Sequence, residues 1–250
     1  MLQIRARALD GGALLAPDAR VDGIIDCPSP NFDERGQPIS VIVLHYTGME
    51  SAEAAIAHLR DPDSRVSCHY LVAEDGQVLR MVAEDKRAWH AGKSYWRGHG
   101  GINHSSIGIE IVNPGHAWGY RPFPDQQIDA LIPLIADIKE RYGITRGNIV
   151  GHSDIAPARR QDPGELFPWG RLARHRLALP RPTKNLLDPN WTDSGFLLAL
   201  ERFGYDVTDE LAAVVAFQRR FRPELIDGTI CGECRAILLA LLLPRPQGDD

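Results

Sequence analysis

The sequence predicts an α/β (α+β) protein: a mixed central β-sheet flanked by helices, followed by a small three-helix bundle. Three observations carry this expectation. Short β-branched runs such as SVIVLHYTG (40–48) and SSIGIEIVN (105–113) alternate with helical patterns. One hairpin signature, SCHYLVAEDGQVLRMV (67–82), sits among strand-to-helix crossovers, a mixture that suits a mixed sheet with helices packed on it. After a proline-rich stretch, three short helical patterns follow one another to the end of the chain.

Residues 1–38, rich in Gly, Pro and Asp, read as an extended approach. SVIVLHYTG is the first strand, closed by Thr-Gly. SAEAAIAHLR then reads as a helix with Ser51 as N-cap and Ala52, Ala55, Ile56 and Leu59 at helical spacing. Asp75-Gly76 supplies the turn of the hairpin. In SSIGIEIVN, Ile107, Ile109 and Ile111 share one face, and Gly108, Glu110 and Val112 the other. DQQIDALIPLIADIKERYG is the longest helix, expected from an Asp125 cap to Gly143 with Ile128, Leu131, Ile132, Ile135, Ile138 and Tyr142 as its buried stripe. NIVGH (148–152) is the last strand of a domain spanning 39–172. The segment 173–191, with three prolines and little periodicity, reads as a linker. Residues 192–245 then form a helical domain of about 55 residues, near the lower limit for independent folding.

Composition narrows the function. A net charge of −5 leaves no basic excess to neutralise phosphates, so nucleic acid is not an expected partner. The longest apolar run, AILLALLL (236–243), is far short of the roughly 20 residues that span a bilayer. The start places Asp10 and a Gly pair where an export signal needs an unbroken apolar stretch, so the expected location is cytoplasmic; a chain trimmed of its leader is periplasmic instead. Four scattered cysteines do not make a disulfide framework, and Cys231-x-x-Cys234 has no second pair with which to hold a structural metal.

Chemistry concentrates in NIVGHSDIAPARRQDPG (148–164). His152 ends a strand, and Asp162 follows in a loop stiffened by Pro157 and Pro163. His45 also ends a strand. If those strands are neighbours, about 4.8 Å apart, two imidazoles and a returning carboxylate reach one zinc ion and leave a fourth position open. Alternatively, each residue only caps a strand or binds loop backbone. Glu110 stands mid-strand among apolar neighbours, where an unpaired charge is costly. It is either paired with an arginine or poised as a general acid/base with a raised pKa.

Taken together, VIVLHYTG, SCHYLVAEDGQV, AWHAGKSYW, NHSSIGIEIVN, TRGNIVGHSDIAPARRQDPG and LFPW resemble the zinc-dependent N-acetylmuramoyl-L-alanine amidase family, amidase type 2, related to peptidoglycan-recognition proteins. The likeness covers about residues 38–172. The tail from Val207 resembles a peptidoglycan-binding three-helix module, although Cys231 and Cys234 stand where that family usually carries an acidic residue and a threonine. The resemblance implies one Zn2+ per chain on His45, His152 and Asp162, with Glu110 as the catalytic carboxylate. The family tends to have a lysine two residues before the ligand aspartate; here Arg160 is expected to hold the oxyanion, without the ability to give up a proton. Trp89 and His90 match a segment bordering the cleft and are expected to contact substrate. His69 is either a core histidine or a site residue; Asn103 and Asn113 either bind sugar or peptide amides or serve turns. His58, His99, His104, His116 and His175 are expected at the surface. The implied reaction is hydrolysis of the amide between the lactyl group of N-acetylmuramic acid and L-alanine, in cytoplasmic recycling of (1,6-anhydro-)muropeptides. The alternatives are an envelope amidase acting on polymeric peptidoglycan and a non-catalytic binder of its fragments.

Overall fold

A six-stranded sheet organises the computed structural model, which describes residues 21–184 and 186–243. The first twenty residues of the expected N-terminal approach, and with them the reading of the chain start, lie outside the described residues, as do Asn185 and residues 244–245 of the expected helical domain.

The strands are β1 (Ile25–Asp26), β2 (Phe32–Glu34), β3 (Val41–Tyr46), β4 (Tyr70–Val72), β5 (Val78–Arg80), β6 (Lys86–Ala88), β7 (Tyr95–Trp96), β8 (His99–Gly100), β9 (Ser106–Ile111) and β10 (Ile149–Gly151). The helices are α1 (Ala52–Arg60), α2 (Asp125–Tyr142), α3 (His152–Ile155), α4 (Trp169–Arg174), α5 (Asp193–Phe203), α6 (Glu210–Phe221) and α7 (Gly232–Leu242). The sheet runs β1-β5-β4-β9-β3-β10, and only the β4–β5 hairpin is antiparallel. Gly76, at φ +85°, makes the hairpin turn, a conformation that L side chains resist.

Helix limits follow local chemistry. The Ser51 hydroxyl accepts from Ala54 N at 3.2 Å and starts α1. α2 stops where Gly143 turns left-handed. Its start differs from expectation: Pro124 occupies the cap and Asp125 is the first helical residue, because proline needs no N–H partner there. His152 likewise opens α3 instead of ending β10. β1 and β2 add two short strands inside the approach segment that lacked any visible alternation.

Alternation along the central strands sorts residues onto two faces. Ile42, Leu44, Ile107, Ile109 and Ile111 join Ile128, Leu131, Ile135 and Ile138 of α2 in one core. The opposite face is covered in two places. Leu71, Leu79 and Val112 pack with Ala55 and Leu59 of α1. Val41, Val43 and Val150 pack with Phe196, Phe217, Phe221 and Ile237 of the C-terminal helices. The three last helices therefore share a core with the sheet. Within 173–191, Leu177 and Ala178 are buried in the α2-side core, so the segment's first turn is packed, not free. Between the two coverings lies a gap over the carboxyl ends of β3 and β9, the usual place for a ligand in a sheet with parallel strands.

Candidate active site

Strand register places the first two functional side chains. His45 and Glu110 are paired positions on β3 and β9, so both project from the same face into the gap. β10 is the other neighbour of β3, and His152 follows it directly. The loop after α3 returns because Ser153 N donates to Asp162 O at 2.9 Å. A side chain at Gly151 would collide with Pro163 Cδ at 2.7 Å, so that turn is closed by small against rigid.

His45 Nδ1, His152 Nδ1 and Asp162 Oδ2 converge. The two nitrogens are 3.0 Å apart, His45 Nδ1 is 3.0 Å from Asp162 Oδ2, and His152 Nδ1 is 3.1 Å from it. Neighbouring donors around tetrahedral zinc, with bonds of about 2.0–2.1 Å, stand about 3.3 Å apart, so the spacing suits such an ion. All three residues are buried, and among the described residues no other group of three metal-binding side chains comes together.

Proton positions support the same use. Ser106 Oγ lies 2.7 Å from the Ile102 carbonyl, which can only accept, so the hydroxyl proton goes there. His90 Nε2, 3.2 Å from the same Oγ, must then donate. His90 Nδ1 is left as an acceptor and takes the proton of His45 Nε2 at 3.0 Å. His45 Nδ1 therefore carries a bare lone pair. His152 reaches the same state, since its Nε2 faces the Ala91 carbonyl at 3.3 Å and must donate. Two lone pairs and a carboxylate oxygen then point at one another with no proton between them, an arrangement that calls for a cation. Burial, reinforced by the His152 ring, pushes the His45 pKa down to about 4. Burial alone would raise Asp162, but the two imidazoles outweigh it and hold the carboxyl well below the usual range.

Glu110 lines the cleft and keeps some exposure to it. Oε2 is shielded and has no hydrogen-bond partner, so of the two readings of Glu110 the salt bridge to an arginine is not made there. Burial, with Asp162 adding to it, drives this carboxyl well above the usual range, against a smaller opposing pull from Arg160. A carboxyl so placed is suited to taking and returning a proton.

The cleft, about 360 Å3, is lined by His45, Glu110, His152, Asp162, Trp89, His90 and Arg160. Trp89 is fixed by its indole N–H to Asp33 Oδ2 at 2.7 Å. His90 was expected to contact substrate but is 9% exposed, its ring engaged between His45 and Ser106. Gly108 makes room for it: a Cβ there would come within 2.4 Å of His90 Cγ. His69, Asn103 and Asn113 do not line the cleft. Gly108 N donates to His69 Nδ1 at 2.9 Å. Asn103 Oδ1 accepts from the backbone of His90 and Ala91, at 3.1 and 2.7 Å. Asn113 donates to Arg121 O at 2.8 Å and accepts from Gly115 N at 3.0 Å. Their polar groups serve the chain itself.

Other cleft residues went unrecognised in the sequence: Tyr46, His58, Ser67, His116 and Gln161. His58 shares a face of α1 with Ala55 and Leu59, at the three- and four-residue spacing that could have revealed it. His116 donates from Nε2 to Glu165 at 3.2 Å and accepts the Tyr46 hydroxyl at Nδ1, 3.0 Å away. No local pattern announces that relay. The four cysteines are free thiols.

The fold and the cleft define an α/β enzyme with a donor group suited to a divalent metal ion. Residues 35–165 match the family described as N-acetylmuramoyl-L-alanine amidase. The chain belongs to this family. The N-acetylmuramoyl-L-alanine amidase AmiD of Escherichia coli K12 is 37% identical over an alignment of 261 residues, covering 92% of this chain and 94% of that protein. The 1,6-anhydro-N-acetylmuramyl-L-alanine amidase AmpD of Enterobacter cloacae is 42% identical over 164 residues, covering 58% of this chain and 86% of that protein. The solved complex of E. coli AmiD with anhydro-N-acetylmuramic acid-L-Ala-D-gamma-Glu-L-Lys has a TM-score of 0.74 at 36% identity, covering 85% of this chain and 97% of that one. AmpDh3 from Pseudomonas aeruginosa has a TM-score of 0.72 at 33% identity, covering 82% and 92%.

Proposed function

We propose that the chain is a zinc-dependent amidase that cleaves the bond between the lactyl group of N-acetylmuramic acid and L-alanine in 1,6-anhydro-muropeptides, as part of cytoplasmic recycling. The observation that carries this reading is the convergence of two unprotonated Nδ1 atoms and the Asp162 carboxylate beside the partnerless Glu110 oxygen. The substrate class is supported by relatives solved with anhydro-muropeptide ligands, AmiD and AmpDh3.

His45, His152 and Asp162 would hold the ion. Zinc so held would supply Lewis acidity toward the scissile carbonyl and a nucleophilic water at neutral pH. Glu110 takes the proton from the attacking water and returns it to the departing alanine nitrogen. Arg160, exposed at the mouth, lends its charge to the oxyanion. Trp89 offers an aromatic wall on which the substrate can rest.

A second reading, action on polymeric wall in the envelope, rests on the helical tail, whose sequence resembles a peptidoglycan-binding module; the likeness to AmiD covers 92% of this chain and that to AmpD 58% of it. Purified anhydro-muropeptide and intact sacculi, each incubated with the zinc-loaded enzyme and with Glu110→Gln, separate the two. Free stem peptide from the fragment alone supports recycling; efficient release from sacculi assigns the enzyme to the wall. Cell fractionation checks the compartment. No release from either substrate, with zinc bound, leaves the non-catalytic binder.

A further inference from the structure

His152 is the first residue of the one-turn helix α3, so whatever holds α3 also aims this imidazole. Two residues on, Asp154 is 1% exposed and turned toward the C-terminal helices. Its Oδ2 accepts Gly151 N at 2.7 Å and Arg220 Nη1 at 2.6 Å; its Oδ1 accepts the Tyr205 hydroxyl at 2.5 Å. Arg220 Nη2 reaches Ile149 O at 3.0 Å, and its guanidinium lies 3.7 Å from the centre of the Trp169 ring. Arg220 belongs to α6, and Tyr205 follows α5 closely. Two side chains of the helical tail thus hold β10 at its first residue, Ile149, and α3 through Asp154, one contact on either side of His152.

A wall-binding module that only tethers the enzyme needs no buried charge inside its neighbour. A buried ion pair is a poor source of stability, since desolvation offsets much of the attraction, but it is selective about geometry. We propose that Tyr205 and Arg220 are positioning residues for the metal centre: acting through Asp154, they hold His152 in the orientation its Nδ1 requires, which makes the C-terminal helices part of the metal site's framework. This rests on the reading of His45, His152 and Asp162 as zinc ligands.

The test is zinc affinity of the full-length protein, measured by competition with a chromogenic chelator, together with the visible spectrum of the cobalt(II)-substituted form. Tyr205→Phe removes one oxygen and leaves the packing intact; Arg220→Lys keeps the charge but not the fork. Leu241→Ala, on α7 outside the Asp154 network, weakens the same helical core and serves as control. Outer partners of metal ligands typically change affinity 10–100-fold; one step further removed, each positioning variant is expected to raise the zinc Kd about 10-fold and to alter the cobalt spectrum. Leu241→Ala should lower Tm and leave both unchanged. Excess zinc should restore turnover to Tyr205→Phe. The proposal is overturned if both positioning variants keep the wild-type Kd and spectrum, or if Leu241→Ala loses zinc equally. Failure of the wild-type chain itself to take up zinc removes the ligand assignment first, and the clamp with it.

Discussion

His45 and Glu110 occupy paired positions on two adjacent parallel strands, so the spacing between the metal-directed imidazole and the carboxylate is set by sheet register. A slip of one residue on either strand would turn one of them into the α2-side core, among Ile107, Ile109 and Leu44. The hydrophobic alternation that buries the isoleucines is therefore what brings the two functional groups together. Packing and chemistry share one constraint.

Glu110→Gln keeps the shape of the side chain and removes its proton chemistry. Because the carboxylate is not among the converging donors, zinc content should stay at one per chain while kcat falls about 100-fold or more. Metal analysis and stem-peptide release on the same preparation check both halves. Full activity in this variant would remove Glu110 from the reaction.

The Ser106–His90–His45 relay fixes which nitrogen of His45 is bare. His90→Ala leaves His45 Nε2 without its acceptor and frees the ring to turn, so zinc affinity should drop about 10–100-fold. Gly108→Ala should do the same from the other side, because the added methyl meets the His90 ring at 2.4 Å. Chelator competition reads both. If His90 instead contacts substrate, as its place in AWHAG suggested, KM rises and zinc affinity stays unchanged.

Arg160 stands at the cleft with its charge permanent. Arg160→Ala should lower kcat about 100-fold with zinc content unchanged, the cost typical of one lost oxyanion partner. Arg160→Lys should recover most of that loss, since a point charge suffices for an oxyanion reached from the mouth. Steady-state kinetics on anhydro-muropeptide decide it, and an inert Arg160→Ala assigns the oxyanion elsewhere.

Much of the fold was legible because β9 and α2 each repeat one period cleanly, and the candidate ligands stand at strand ends or in a proline-flanked loop. Glu110 was legible as a charge out of place in an apolar strand. His90 was not, since the segment 89–94 has no period to tell which way a side chain points. Asn103 and Asn113 suggested amide recognition, yet backbone N–H and C=O groups in irregular chain need partners first. His116 and Glu165 meet across 49 residues, and Tyr205 and Arg220 reach Asp154 across 51 and 66. Contacts that distant leave no mark in a local window, so nothing in the sequence joined the helical tail to the metal-directed residues.

His69 makes stability depend on pH in a predictable direction. It is fully buried, accepts the Gly108 N–H at Nδ1, and so keeps its proton on Nε2, 3.1 Å from Lys86 O and 2.9 Å from Arg35 Nη2. A second proton, on Nδ1, would displace the Gly108 bond, and the charge it brings to the ring would stand beside Arg35. Burial first, then the Arg35 charge, pushes its pKa from 6.5 down to about 3 in the folded chain. Between those two values the unfolded state binds the extra proton and the folded state does not. Stability is therefore complete above about 6.5 and declines as the pH falls toward about 3, by about 1.4 kcal/mol per pH unit for one proton. Urea unfolding of the metal-free protein from pH 7 to pH 4 gives the slope for wild type and for His69→Asn. The other buried imidazoles titrate alike in both, so the variant should lose close to one proton's worth of slope whatever its absolute stability. Equal slopes would show that His69 is not a group that charges on acid unfolding.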